Sequence, residues 1–435
     1  MVLLLLVIGF AASLFAAPAL ASPPDPSAEA NAATTSEPAS ELDERGYVKV
    51  AEPSETALRY YRSGNWLWLL NQLWTLLIPA LIVVTGSSAR LRDWATKLGR
   101  ERWRATLLFL LAYLALTFAL DLPLVYYGAY VRPHAYGLSS QSLGKWFGDE
   151  LIGLGLLAAL ALPVVSGTLA LIRTNPERWW IWTSLIAIPV AFLLLMLAPV
   201  FIAPLFNDFG PMRDPALEAE ILALADRAGI AGSRVFEVDK SVDTNTVNAY
   251  VTGFASTKRI VLWDTIIARL DHDQLLVVMG HEMGHYVLGH VRDSMIALAI
   301  AIPLALGGFH ALARRLIARF HARFGFTRLD DVAALPLFLV LIGLFNLALA
   351  PVANAWSRRQ EHEADRFALE ITHDNLGCAG AFARLQESNL ANPRPGPLFT
   401  FWRASHPSLG ERIDFCNEYR PWARGEPEVY ADRFK

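Results

Sequence analysis

The sequence predicts a mainly α-helical protein that crosses a membrane several times, with a small β-sheet set between its helices. Three observations predict it. Of the 435 residues, 54% are hydrophobic and only 18% are charged. Apolar runs near 66–85, 105–125, 151–172, 179–203, 295–312 and 332–353 each approach the ~20 residues that a helix needs to cross a bilayer. Between the fourth and fifth runs lies a polar segment, 207–292, with helical and strand-like patterning. A lipid bilayer is therefore an expected partner. A net charge of −3, without a basic cluster interleaved with aromatics, excludes nucleic acid.

The elements follow in chain order. Residues 1–21 are almost wholly apolar and end in Ala19-Leu20-Ala21, which fits a signal peptide or a first membrane anchor. Residues 22–57 begin with a Ser-, Pro-, Ala- and acid-rich stretch that has little to bury, and are expected to be a disordered linker. Membrane helices are expected over 58–206. Trp66, Trp68, Trp146, Trp179, Trp180 and Trp182 at their edges suit the aromatic belt of the membrane interface. Pro79, Pro163, Pro189 and Pro303 fall inside runs, which membrane helices tolerate where neighbours satisfy the freed carbonyl.

Within 207–292, Asp214-Pro215-Ala216-Leu217 opens an amphipathic helix reaching Ala228. Segments 235–238, 248–254 and 260–262 are patterned as short strands, whose sheet can offer its edge to an extended peptide. More membrane helices are expected over 293–355, and 356–435 forms a C-terminal region. The two cysteines, Cys378 and Cys416, lie outside any Cys-x-x-Cys. They read as buried free thiols in preference to a single bridge.

Chemistry concentrates at Gly280-His281-Glu282-Met283-Gly284-His285, inside an apolar helical stretch. At 3.6 residues per turn, His281 and His285 stack on one helix face. Two imidazoles so placed can hold one zinc, with Glu282 beside them as a general base. The plainer alternative is a pair of packed histidines. A third ligand is available in Glu361, on a second helical stretch where Asp365 falls one turn further along the same face. Two histidines and a glutamate leave the fourth zinc position open, as catalysis requires. Asp365 can accept the remaining N–H of a ligating histidine and fix its tautomer. His362 points about 100° away from Glu361 and is the weaker ligand candidate. A solvated charged face is the alternative for this stretch, since Glu363 and Arg366 lie nearby.

With both halves of the site in view, the chain resembles the type 1 CAAX prenyl proteases, integral-membrane zinc metalloproteases. The resemblance runs from Arg59 to Pro421. It rests on an ordered set of segments: Phe201-Ile202-Ala203-Pro204-Leu205-Phe206-Asn207, Asn248-Ala249-Tyr250 and Lys258-Arg259-Ile260-Val261-Leu262-Trp263-Asp264-Thr265. The His-Glu-x-x-His helix, 357–365 and Ser405-His406-Pro407 complete the set. It implies a helical barrel enclosing a water-filled chamber, with a zincin-type metalloprotease domain facing inward. It implies one zinc per chain on His281, His285 and Glu361, with Glu282 as base. It places Asn248 and Tyr250 on the substrate, and His406 and Arg412 near the zinc and substrate. His406 can donate to the oxyanion of a tetrahedral intermediate; a capping or core histidine is its alternative.

The expected function is thus membrane-embedded zinc endopeptidase chemistry on a peptide or protein substrate. A zinc-stabilised membrane chaperone or channel is one alternative, and a zinc hydrolase of lipids or small amides is another. The motif's adjacent Glu282 favours catalysis, because a structural zinc site would be closed by a fourth protein ligand.

Loop charges bear on orientation. Arg90, Arg92, Lys97, Arg100, Arg102 and Arg104 follow the first run; Arg173 and Arg178 follow the third; Arg314, Arg315, Arg319, Arg323 and Arg328 follow the fifth. The positive-inside rule makes their shared side cytoplasmic, so the metal motif faces the exported, periplasmic side of a bacterial inner membrane. The family resemblance implies the cytosolic side instead. A signal-like start also makes a prenylated substrate unexpected, so it is the chemistry that carries over.

Overall fold

The computed structural model describes residues 41–252 and 259–435. The signal or anchor expected at 1–21, the linker as far as residue 40, and the Gly253-Phe254 end of the expected strand lie outside them.

The N-terminal half is a helix bundle. Helix α1 (Glu55–Val84) is capped by Ser54, whose hydroxyl accepts from the Ala57 N–H. Helices α2 (Ser87–Gly99), α3 (Arg102–Val125), α4 (Leu143–Thr174) and α5 (Trp179–Leu197) follow, with α3 running on through a π-helical turn at Tyr126–Val131. Strand β1 (Phe209–Pro211), helix α6 (Pro215–Arg227) and strands β2 (Arg234–Val238), β3 (Ala249–Thr252) and β4 (Arg259–Trp263) come next. Helix α7 (His272–Val287) carries the metal motif and leads into the long α8 (His290–Phe324) and α9 (Leu335–Thr372). Helices α10 (Asn375–Ser388) and α11 (Leu409–Glu418) complete the C-terminal region.

Among the described residues, six helical stretches are long and apolar enough to cross a membrane, and each coincides with one of the expected runs to within a residue or contains it. Their outward faces keep large apolar side chains exposed, including Leu73, Leu185, Ile300 and Leu304. Such a surface is what hydrocarbon, not water, accommodates. The inward faces pack around Phe109, Tyr113, Trp179, Phe309 and Phe338.

The sheet has the order β1-β2-β4-β3. β2 and β4 are parallel, with Val235 opposite Ile260, whereas β3 is antiparallel to β4, with Ala249 opposite Leu262. Ile260, Val261 and Leu262 are all buried, which explains an unbroken apolar run in an interior strand covered on both faces. Helix α6 covers the sheet with Leu217, Ile221, Leu224 and Ala225, spaced on one helical face, and Asp214 caps its start. β1 and β3 are the two edge strands.

Three expectations need correction. The linker was expected to extend to residue 57, yet its described part is docked. Val48 is buried, and its backbone N–H and C=O both bond to the Asn417 side chain. The cysteines are not free thiols: Cys378 on α10 and Cys416 on α11 form a disulfide, their Cα atoms 5.7 Å apart across two packed helices. Trp146 and Trp179 turn into the protein, whereas a belt of lipid-facing aromatics requires them to point outward. Both are buried, and Trp179 donates its indole N–H to His310 Nδ1 at 3.0 Å.

Candidate metal centre

Two glycines bring the halves of the site together. A Cβ on Gly280 would meet Ile371 Cγ2 at 3.2 Å and Ala368 Cα at 3.3 Å. On Gly284 it would meet Phe367 Cβ at 3.1 Å and Ala364 Cα at 3.3 Å. One turn apart on α7, they let that helix press directly against the α9 backbone. His281 and His285, each following or flanked by these glycines, then face Glu361 and Asp365.

The three candidate ligands converge. His281 Nε2 and His285 Nε2 are 3.2 Å apart. Glu361 lies 3.3 Å from the first through Oε2 and 3.4 Å from the second through Oε1. Tetrahedral zinc with bonds of about 2.0–2.1 Å needs donor separations of roughly 3.3–3.4 Å. Glu361 Oε2 is also buried without a hydrogen-bond partner. Arg412 Nη1 lies 3.7 Å from it, too far for a hydrogen bond, so the oxygen keeps a lone pair for a closer cation or donor. The donor set therefore fits zinc.

Each imidazole is held from behind. His281 Nδ1 is 2.8 Å from Asp365 Oδ1, and Asp365 in turn receives Arg412 Nε on Oδ2 at 2.9 Å. Arg412 is buried and stacks over Phe382 at 3.9 Å. It lines the site cavity, bonds Asp365 and places Nη1 3.7 Å from Glu361 Oε2. His285 Nδ1 stands 2.8 Å from His290 Nδ1, whose Nε2 is 3.3 Å from Glu363 Oε2. Neither His290 nor Glu363 is singled out by sequence reasoning, because residue 290 of an unbroken helix would point away from residue 285. Gly289, at φ 76°, breaks the helix there and turns His290 back. That glycine is the one available signal.

The site opens into a cavity of about 1590 Å³. Glu282 lines it, and burial raises its carboxyl above the ordinary range. His406 hangs over the centre with Nε2 3.3 Å from Glu361 Oε1, and Ser405 Oγ stands 2.8 Å from its Nδ1. Burial lowers the His406 pKa, which favours the neutral ring. Tyr250, in the edge strand β3, and Asn248, just before it, line the same cavity. His362 faces away and packs on Phe415, ring centroids 4.4 Å apart.

Residues 211–420 match the sequence profile of peptidase family M48, and residues 47–208 match the CAAX prenyl protease N-terminal region, described as five membrane helices. Helices α1 to α5 occupy that second span. The metalloprotease YhfN of Bacillus subtilis is 34% identical over 372 residues, covering 84% of this chain and 86% of its own. The chain belongs to peptidase family M48. CAAX prenyl protease 1 of Saccharomyces cerevisiae is 31% identical over 335 residues, 72% of this chain and 73% of that one. The crystal structure of S. mikatae Ste24p superposes with a TM-score of 0.71 at 25% identity, covering 83% of this chain and 87% of that chain. With these relatives, this M48 member is a membrane-embedded zinc metalloendopeptidase, related to the CAAX prenyl proteases and built as a helical chamber around its metalloprotease domain.

Proposed function

We propose that His281, His285 and Glu361 hold one zinc per chain, and that the site hydrolyses a peptide drawn along the β3 edge. The observation that carries this is the convergence of the two imidazole Nε2 atoms, 3.2 Å apart, with one Glu361 oxygen 3.3 Å from the first and the other 3.4 Å from the second, and with a partner fixed behind each imidazole. Bound zinc supplies Lewis acidity: it lowers the pKa of water and polarises the scissile carbonyl. Glu282 takes the proton of the attacking water at its carboxylate and returns it to the departing amine. His406 donates from Nε2 to the oxygen that gains charge in the tetrahedral intermediate. Asn248 and Tyr250, at the start of the edge strand β3 and within it, orient the substrate backbone. Arg412 acts at one remove, holding Asp365 against His281.

We further propose a bacterial inner-membrane protein whose site opens to the periplasm. The three basic loops gather at one end of the bundle: Arg92 pairs with Asp331, Arg173 with Asp330 at 3.3 Å, and Arg314 with Glu177 at 2.5 Å. Their common side is cytoplasmic by the positive-inside rule. The Cys378–Cys416 disulfide in the C-terminal region, beside the site, independently favours an oxidising compartment.

The test compares membrane peptide profiles of cells carrying the wild-type chain with cells carrying Glu282→Gln. Peptides that accumulate only with the variant are the substrates. Identical profiles contradict the reading.

A further inference from the structure

The chamber wall away from the metal holds two arginines without a carboxylate. Arg132, at the end of the α3 extension, is 1% exposed. Its Nη2 donates to the Tyr60 carbonyl at 2.9 Å and to Ser63 Oγ at 3.2 Å, and its guanidinium lies over the Tyr60 ring at 3.9 Å. Its Nη1 is buried with no partner, as is the Tyr60 hydroxyl. Arg403 donates from Nη1 to Asn65 Oδ1 and lies over Phe399 at 4.8 Å. Among the described residues, neither guanidinium has an acidic side chain within ion-pair distance.

Burying a cation without its counter-charge is unfavourable, and an orphaned donor adds to the cost. Here two cations share one wall. Burial depresses the Arg403 pKa, and the neighbouring Arg132 charge depresses it further. A fold carrying this strain in a ligand chamber has left room for an anion to relieve it. Both arginines line the same cavity as Glu282 and His406.

We propose that Arg403, backed by Arg132, binds a carboxylate of the peptide substrate inside the chamber. The inference rests on the peptidase reading. Guanidinium is the group best matched to a carboxylate, through two parallel hydrogen bonds. Position supports it as well. Arg403 precedes His406 by three residues, so their Cα atoms are at most about 11 Å apart. The segment between them is pinned to α9 by Arg358, which donates to the carbonyls of Thr400 and Ala404 at 2.9 and 2.7 Å. Adding the reach of the arginine side chain, the carboxylate falls within about five extended residues of the scissile bond. It is either the substrate's C-terminus or an acidic side chain, and the test separates these.

The probes are fluorescein-labelled peptides with a free C-terminal acid, the same peptides as C-terminal amides, and amides carrying Asp or Asn near that end. Affinities are read by fluorescence anisotropy on the full-length Glu282→Gln chain, which binds without turnover. The expected result is at least about tenfold tighter binding of the acid than of its amide, or of the Asp amide than of the Asn amide. Arg403→Gln in that background collapses the ratio, and Arg403→Lys keeps part of it. Equal affinity within both pairs overturns the proposal, as does a preference that survives Arg403→Gln. Turnover of the same peptides by the wild-type chain is measured separately. Its absence strikes the peptidase reading alone, while the affinity ratio still decides the carboxylate.

Discussion

Arg412 Nε donates to one oxygen of Asp365 at 2.9 Å while the other oxygen stands 2.8 Å from His281 Nδ1. This relay fixes the imidazole so that Nε2 faces Glu361. Replacing Arg412 by Gln leaves Asp365 free to turn and buried without its counter-charge. The expected outcome is a loss of zinc affinity on the order of 10–100-fold, with activity recovering as zinc is raised. Zinc content after dialysis against a graded chelator checks it. Retention equal to the wild-type chain would remove Arg412 from the metal's support.

The second imidazole has its own support, and this separates two neighbouring histidines. His290→Ala removes the group 2.8 Å behind His285 and should weaken zinc on the same order. His362→Ala removes a ring packed on Phe415 and should leave metal content near wild type. Glu361→Ala should strip the metal. Metal analysis of the three purified variants decides between this assignment and one in which His362 is the ligand.

The disulfide joins α10 to α11, the helix that carries Arg412, and closes a loop of 38 residues. Removing it with Cys378→Ser and Cys416→Ser together should cost about 3–4 kcal/mol of stability. Thermal unfolding in detergent, with and without reductant, measures it: the wild-type chain should lose stability on reduction and the double variant should not respond.

The chemistry was more legible than its scaffolding. His281 and His285 are legible because helical periodicity places them on one face with Glu282 beside them, and Glu361 follows from the same spacing with Asp365. The membrane runs are legible because crossing hydrocarbon demands long apolar stretches. The supporting pair His290 and Glu363 is not, since Gly289 must first break the helix. The Cys378–Cys416 pairing is equally hidden, because its two helices meet only through tertiary packing. Strand β1 escapes notice because Phe209-Gly210-Pro211 is too short to show an alternation.

Orientation is tested by accessibility. Glu426 is exposed in the C-terminal tail, and both native cysteines are tied up in the disulfide. A Glu426→Cys variant should react with a membrane-impermeant maleimide on intact spheroplasts. Labelling only after the membrane is opened would place the catalytic side in the cytoplasm.

The central claim is that Glu282 moves the proton while His281, His285 and Glu361 hold the metal. Zinc content and peptide turnover measured together on Glu282→Gln test it most directly. An amide of nearly the same size keeps the fold and the three ligands but cannot accept a proton. The account predicts about one zinc per chain with turnover lowered beyond the roughly 10²–10⁴-fold of ordinary general acid–base help, because the nucleophile depends on the same group. Full zinc with turnover near the wild-type value would contradict it.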